Sequence, residues 1–195
     1  GLPDRPVTGT YLLKGIDTAK LRDRDRSALR GHLIGFVFQR KMLLPARSAI
    51  DNVTLPLRYT GIRGRQRLIR GLDSLDRVGL AAQAQLMTWQ LSAGELALCA
   101  IARALVTDPG LLLCDDPTAG LDEATAARMI GLLAGLHREG RTVVIATADQ
   151  LAAAYSSSSL RLGRPASDQL AGQAGLAGAV RDTVAITDSQ TGLVP

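Results

Sequence analysis

Apolar positions recur along the chain with two periods. Leu68, Ile69, Leu72, Leu75 and Val78 follow the spacing of a helix face, which predicts a helix from Arg65 to Val78 capped by Gly79. A second helix is predicted from Ser92 to Val106. Its opening, Ser92-x-x-Glu95, has the form of a capping box, in which each side chain satisfies the other's free backbone N–H. Met129, Leu132, Leu133 and Leu136 predict a third helix from about Glu123 to Arg138, with Gly140 behind it. The charged stretch from Asp23 to Arg30 reads as a further helix, and Pro45 and Pro56 bracket a loop and a short helix. Residues 9–14 read as a short strand after a Pro/Gly turn. The runs Leu33–Phe38, Leu111–Cys114 and Thr142–Ala146 are apolar and of strand length. Strand, helix, strand with continuously apolar strands predicts a parallel sheet covered on both faces, an α/β fold. The last thirty residues, rich in Gly, Ala, Ser and Gln and without periodicity, read as a poorly ordered tail.

Composition narrows this picture. A chain of 195 residues, 46% hydrophobic, suits one domain or a core with an inserted subdomain. Uninterrupted apolar runs are too short to span a bilayer and no basic-then-apolar leader is visible, so the expectation is a soluble protein. Cys99 and Cys114 sit inside apolar runs and read as reduced core thiols; with His32 and His137 isolated, they suggest no metal site. Residues 1–70 hold fifteen Lys and Arg against five acids, whereas the remainder is net acidic. A basic half suits an anionic partner (nucleotide, nucleic acid or membrane surface) or simply a solvated arginine-rich face. Six aromatics in the whole chain leave little for base stacking, so nucleic acid is disfavoured.

Candidate chemistry gathers after the apolar strand 111–114, where Asp115-Asp116-Pro117-Thr118 follows at once. Ligands of open parallel sheets bind beyond the carboxyl ends of the strands, and a carboxylate there can hold a magnesium ion that bridges phosphate oxygens. The plainer alternative is a pair of carboxylates that cap the next turn. Other segments, in order, extend the pattern. Phe36-Val37-Phe38-Gln39, Leu43-Leu44-Pro45, Asn52-Val53 and Leu55-Pro56-Leu57 resemble the Q-loop region of ATP-binding cassette (ABC) ATPases. Leu91-Ser92-Ala93-Gly94-Glu95 followed by Ala100 to Leu105 resembles their signature motif and its helix. Leu111 to Asp116 resembles the Walker B strand and Gly120-Leu121-Asp122 the D-loop, and Asp4-Arg5-Pro6 with Gly9 fits the turn after the phosphate-binding helix. The resemblance covers residues 1 to about 165, and its nearest branch is the ATPase subunits of lipoprotein-release and macrolide-export transporters.

That resemblance implies a P-loop NTPase core over residues 1–45 and 105–165, a helical subdomain with the signature over 46–104, and a tail over 166–195. It implies ATP and Mg²⁺ as ligands, a membrane permease subunit as partner, a homodimer or a heterodimer with another ABC ATPase, and a peripheral place on the cytoplasmic face of the membrane. By motif match, Asp115 and Gln39 would hold magnesium, Gln39 would contact the attacking water, and Asp116 would occupy the general-base position. Ser92 and Gly94 would face the γ-phosphate of the partner's nucleotide, and Asp122 would contact the partner across the interface.

The sequence also departs from the family pattern. No G-x-x-x-x-G-K-[ST] segment occurs between Gly1 and Pro195, so the core is expected to be incomplete, with a gap in the central sheet. Asp116 stands where the family usually has Glu, Ala148 where it has the switch histidine, and Ala93 where it has glycine. Leu96-Ala97-Leu98 replaces the usual polar positions. A preserved fold with altered chemistry points to an ABC transporter ATP-binding subunit, N-terminally incomplete or degenerate, with weak hydrolysis. The alternative is a non-catalytic interaction subunit that lends its signature motif to a complete ABC ATPase. An ABC-type ATPase of DNA repair or translation ranks last.

Overall fold

In the computed structural model, residues 11–148, 152, 154–161 and 183–187 are described. The chain enters through a two-stranded antiparallel ribbon, β1 (Leu12–Leu13) and β2 (Ile16–Asp17). Lys14 and Gly15 between them both have positive φ, 49° and 76°, the twist a two-residue hairpin loop needs. The short strand expected at 9–14 is therefore half of a hairpin; its first two residues lie outside the described residues. Helix α1 (Asp23–Leu33) carries Asp23 and Asp25 in its first turn and Arg30 and His32 in its last, each favourable to the helix dipole. It runs through Leu33, so the following strand, β3 (Ile34–Val37), is shorter at both ends than the apolar run that predicts it.

Next come α2 (Ala49–Thr54), α3 (Gly64–Arg77) and α4 (Ala93–Leu105), then β4 (Leu111–Asp115), α5 (Glu123–Arg138), β5 (Thr142–Thr147), β6 (Ser158–Arg161) and β7 (Thr183–Thr187). The main sheet has the order β3-β4-β5-β7-β6. Strands β3, β4 and β5 are parallel, with Val37 opposite Cys114 and Asp115 opposite Ala146. Strand β7 is antiparallel to both of its neighbours. The sheet is thus continuous, without the gap expected from the missing phosphate-loop segment. The β-branched run Thr-Val-Ala-Ile-Thr at 183–187, inside the expected tail, pairs on both edges. The other residues of 166–195 lie outside the described ones.

The central strands are not equally covered on their two faces. Leu112, Cys114, Val143 and Ile145 are buried, whereas Leu111, Leu113, Thr142 and Val144 are half-buried. The buried set joins one apolar cluster with Met129, Ile130, Leu133 and Leu136 of α5, Leu98 and Ile101 of α4, and Val53 and Leu75 of α2 and α3. Burial pushes the Cys99 thiol up to about 11 and the Cys114 thiol up to about 12, as befits core cysteines. Gly35 explains how close α4 comes to the sheet. A Cβ there would stand 2.6 Å from the Ala104 carbonyl oxygen and 2.6 Å from Leu112 Cδ2. Helix α3 is fastened to α4 by the Ser74 hydroxyl, which donates to the Ala102 carbonyl at 2.6 Å. The single apolar face expected on α3 divides: Leu75 is buried, but Leu68, Ile69 and Leu72 are 45%, 46% and 38% exposed. Small Gly71 and Ser74, buried, supply the rest of the packed face. Among the described residues, no helix is long and apolar enough to cross a membrane.

Candidate functional site

Because β3, β4 and β5 are parallel, their carboxyl ends lie along one edge of the sheet, and each delivers a polar residue there. Gln39 follows β3, Asp115 and Asp116 end β4, and Thr147 ends β5. The Gln39 side-chain amide donates to Asp116 Oδ2 at 3.2 Å, and the Thr147 hydroxyl donates to Asp116 Oδ1 at 2.9 Å. Asp116 adopts φ 42°, a left-handed conformation that aspartate tolerates better than most residues, and its N–H donates to the Ala146 carbonyl at 2.7 Å. The turn is fixed on its far side by Lys41, whose Nζ donates to the Ala119 carbonyl at 3.1 Å. Asp115 is exposed beside this cluster, while Thr147 is 4% exposed. With its NH₂ donating to Asp116, Gln39 keeps its amide oxygen, an acceptor, for other partners. Asp115, Asp116 and Gln39 therefore place carboxylate and amide oxygens, the kind that hard cations favour, at the carboxyl end of the sheet. Among the described residues, no three His, Cys, Asp or Glu side chains converge on a common metal position.

The remaining sequence-predicted residues form a second group, around the start of α4. Ser92 is the N-cap: its Oγ accepts from the Glu95 N–H at 3.3 Å, and Glu95 Oε2 accepts from the Ser92 N–H at 2.8 Å. The box read from the sequence is thus closed on both sides. Hydrogen bonds from the Ser92 backbone and side chain hold the Glu95 carboxyl below its ordinary value against the opposing effect of burial, and Gln83 Nε2 adds a weaker one at 3.2 Å. Asp122 caps α5 in the same manner. Its Oδ2 accepts from the Thr125 hydroxyl at 2.7 Å and its Oδ1 from the Thr125 N–H at 2.9 Å, which keep its carboxyl low. Gly94 packs on the same Thr125: a Cβ at 94 would be 2.8 Å from Thr125 Cγ2.

Sequence reasoning missed four supporting residues. Thr147 and Thr125 are ordinary strand-end and helix-start threonines until the fold places them against Asp116 and Asp122. Arg103 sends Nη1 to the Met42 carbonyl at 2.6 Å and Nη2 to the Lys41 carbonyl at 2.9 Å, tying α4 to the segment after Gln39. Asn52 is fully buried and fixes the loop before α2. Its Oδ1 accepts from the Leu44 N–H at 2.7 Å, and its Nδ2 donates to the Leu44 and Ser48 carbonyls at 3.1 and 3.0 Å. Asn52 and Arg103 had a sequence signal, since they lie inside the quoted segments Asn52-Val53 and Ala100 to Leu105.

An open sheet with acid and amide groups at its parallel carboxyl ends places the chain among α/β proteins whose ligands bind beyond the strand ends. The comparisons with known proteins make the class specific. The ABC transporter family profile matches residues 4–119, and the chain belongs to that family. It is 45% identical over 154 residues to the macrolide export ATP-binding/permease protein MacB of Rhodospirillum rubrum, covering 79% of this chain and 24% of that protein. It is 40% identical over 149 residues to the uncharacterized ABC transporter ATP-binding protein YvrO of Bacillus subtilis, covering 76% and 65%. Among solved structures, the dimeric post-hydrolysis state of the ATP-binding cassette MJ0796 bound to ADP and Pi matches with a TM-score of 0.70 and 36% identity, over 79% of this chain and 68% of that one. The chain thus spans a quarter of the first relative's length and about two thirds of the second's.

Proposed function

We propose that this chain is the ATP-binding element of an ABC transporter of the macrolide-export type, working as one half of a dimer beneath a membrane permease on the cytoplasmic face. The observation that carries the reading is the meeting of Gln39 with Asp116, 77 residues apart in sequence, beside Asp115 at the parallel strand ends. The relatives are ATP-binding proteins, which favours this role over a non-catalytic interaction subunit.

In this proposal Asp115 and the Gln39 amide oxygen hold Mg²⁺. The donor set fits: magnesium takes one or two carboxylates and fills its remaining positions with water and phosphate oxygens, and Asp115 and Gln39 offer oxygens of that kind. When bound, the ion would supply positive charge that offsets the charge of the phosphates. Asp116 takes the general-base position, but both of its oxygens are already engaged, by Gln39 and by Thr147. Its side chain is also one methylene shorter than the glutamate usual in the family, and Ala148 has no proton to donate. General-base catalysis depends on hydrogen-bond reach and contributes about 10²–10⁴-fold, so hydrolysis is slow. Ser92 and Gly94 present the N-terminus of α4 to the nucleotide of a second chain, and Asp122 contacts that chain across the interface from the turn before α5.

The test is the binding of a fluorescent ATP analogue to the protein isolated from its source, with and without Mg²⁺. Binding that Mg²⁺ strengthens, and that Asp115→Asn makes indifferent to Mg²⁺, supports the reading. Binding equally tight in both proteins and both conditions overturns it.

A further inference from the structure

Thr125 touches both elements of the second group at once. Its N–H and hydroxyl hold the two oxygens of Asp122, at 2.9 and 2.7 Å. Its methyl lies against Gly94, so close that a Cβ on residue 94 would fall 2.8 Å from Cγ2. The residue is half-buried in the first turn of α5, between the two helix starts. Serine would keep the hydroxyl and lose the packing; valine would keep the packing and lose the hydroxyl. Threonine alone among the three serves both contacts.

We infer that Thr125 is a positioning residue that locks the Asp122 turn to the Ser92–Gly94 turn, so that the two move as one body. The functional meaning rests on the proposal above, in which both turns face a second chain; the coupling itself does not. The missing side chain at 94 then has a reason inside a single chain. A methyl there has to displace Thr125 Cγ2. Methyl and hydroxyl share one Cβ, and a β-branched side chain on a helix is stiff about χ1. Turning the methyl away therefore swings the hydroxyl off Asp122, and a small residue at 94 becomes a condition for the cap at 122. Thr125→Ser removes the obstructing methyl and keeps the hydroxyl, so it should relieve a bulkier residue at 94.

The experiment is a double-mutant cycle on the full chain: wild type, Gly94→Ala, Thr125→Ser and the double variant. The first readout is the Asp122 carboxylate followed by NMR through a pH titration. Gly94→Ala should move its midpoint up toward that of an ordinary aspartate, Thr125→Ser should leave it low, and the double variant should bring it back down. The second is nucleotide-triggered self-association, weakened about tenfold by Gly94→Ala and largely recovered in the double variant, a coupling of the size found for residues in contact. A double variant as impaired as Gly94→Ala alone overturns the inference. Should Gly94→Ala not fold, Thr125→Val decides: a raised Asp122 midpoint supports the lock, and an unchanged one overturns it. The titration needs no nucleotide, so its pattern is independent of the proposed function. Rescue without any association with ATP would sink the transporter reading and leave the lock, whereas association with additive effects would sink the lock alone.

Discussion

The strand-end group and the α4 group are built in opposite ways. At the strand ends, Gln39 and Thr147 reach Asp116 from 77 and 31 residues away, so the cluster exists only while three parallel strands hold register. Around α4, the main hydrogen bonds join residues three apart, Ser92 with Glu95 and Asp122 with Thr125. The hydrogen bonds of such caps close within one turn, whatever the packing between helices around them. Both groups differ from the family pattern, the strand ends at Asp116 and Ala148 and the α4 group at Ala93 and Leu96-Ala97-Leu98, but only the strand ends change at the residue placed as general base. Their geometry has closed around the shorter carboxylate, with a donor on each oxygen. A site assembled by topology can thus keep its place while its reactive groups change, because the sheet beneath it is held by apolar residues that the chemistry does not touch.

The sharpest way to separate the groups is to loosen that sheet. Leu112 in β4 is fully buried, and Leu112→Ala should destabilise the fold by about 3–4 kcal/mol in urea unfolding. The Gln39–Asp116 contact should be lost at lower denaturant than the Ser92–Glu95 cap; simultaneous loss would erase the distinction between the groups. Gly35→Ala comes next. It forces a methyl onto the Ala104 carbonyl, 2.6 Å away, and should cost about 2–3 kcal/mol while disturbing both groups, since β3 and α4 meet there. Thr147→Val removes a hydrogen bond to a carboxylate at a buried strand end and should cost about 1–2 kcal/mol; Thr147→Ser should cost much less if the hydroxyl is what matters. Ser92→Ala opens the α4 cap and should cost about 1 kcal/mol, with no effect on the strand ends.

The smallest effect is a pH dependence. The Glu95 carboxyl is held below its ordinary value of 4.5 in the folded protein by the Ser92 hydrogen bonds. A lowered folded-state pKa means that the unfolded chain binds the proton more readily. The cap's contribution is therefore complete above the unfolded value and is lost as pH falls through the folded one. Unfolding followed between pH 6 and 3 should show Glu95→Gln less sensitive to acid than wild type. Equal slopes would mean that the carboxylate adds nothing to the cap.

What the sequence made legible follows the same division. Helix α5 begins and ends where its apolar spacing and Gly140 place it, and the box at Ser92 and Glu95 is visible because both partners lie within one turn. Strands β4 and β5 were readable from continuous apolar runs. The ribbon partner β2 and the strand β7 were not: two residues carry no period, and a strand in a Gly/Ala/Ser-rich segment shows itself only when a sheet edge pairs with it. On α3 the apolar spacing was real, but packing uses Gly71 and Ser74, small residues that a hydrophobic pattern does not count. Gln39 and Asp116 could be named by motif, yet Thr147 and Thr125 could not, since a threonine has no signature until a partner arrives from elsewhere in the chain.

In the proposed dimer the two groups serve different nucleotides, the strand ends that of their own chain and the start of α4 that of a second. Mixing tests this directly. Asp115→Asn damages only the first group, and Ser92→Arg blocks only the second. Each variant alone should fail to trap Mg²⁺ and ATP in a dimer, and an equimolar mixture should recover part of the wild-type signal, because a mixed dimer holds one site with both groups intact. A mixture as inactive as either variant alone would contradict the claim.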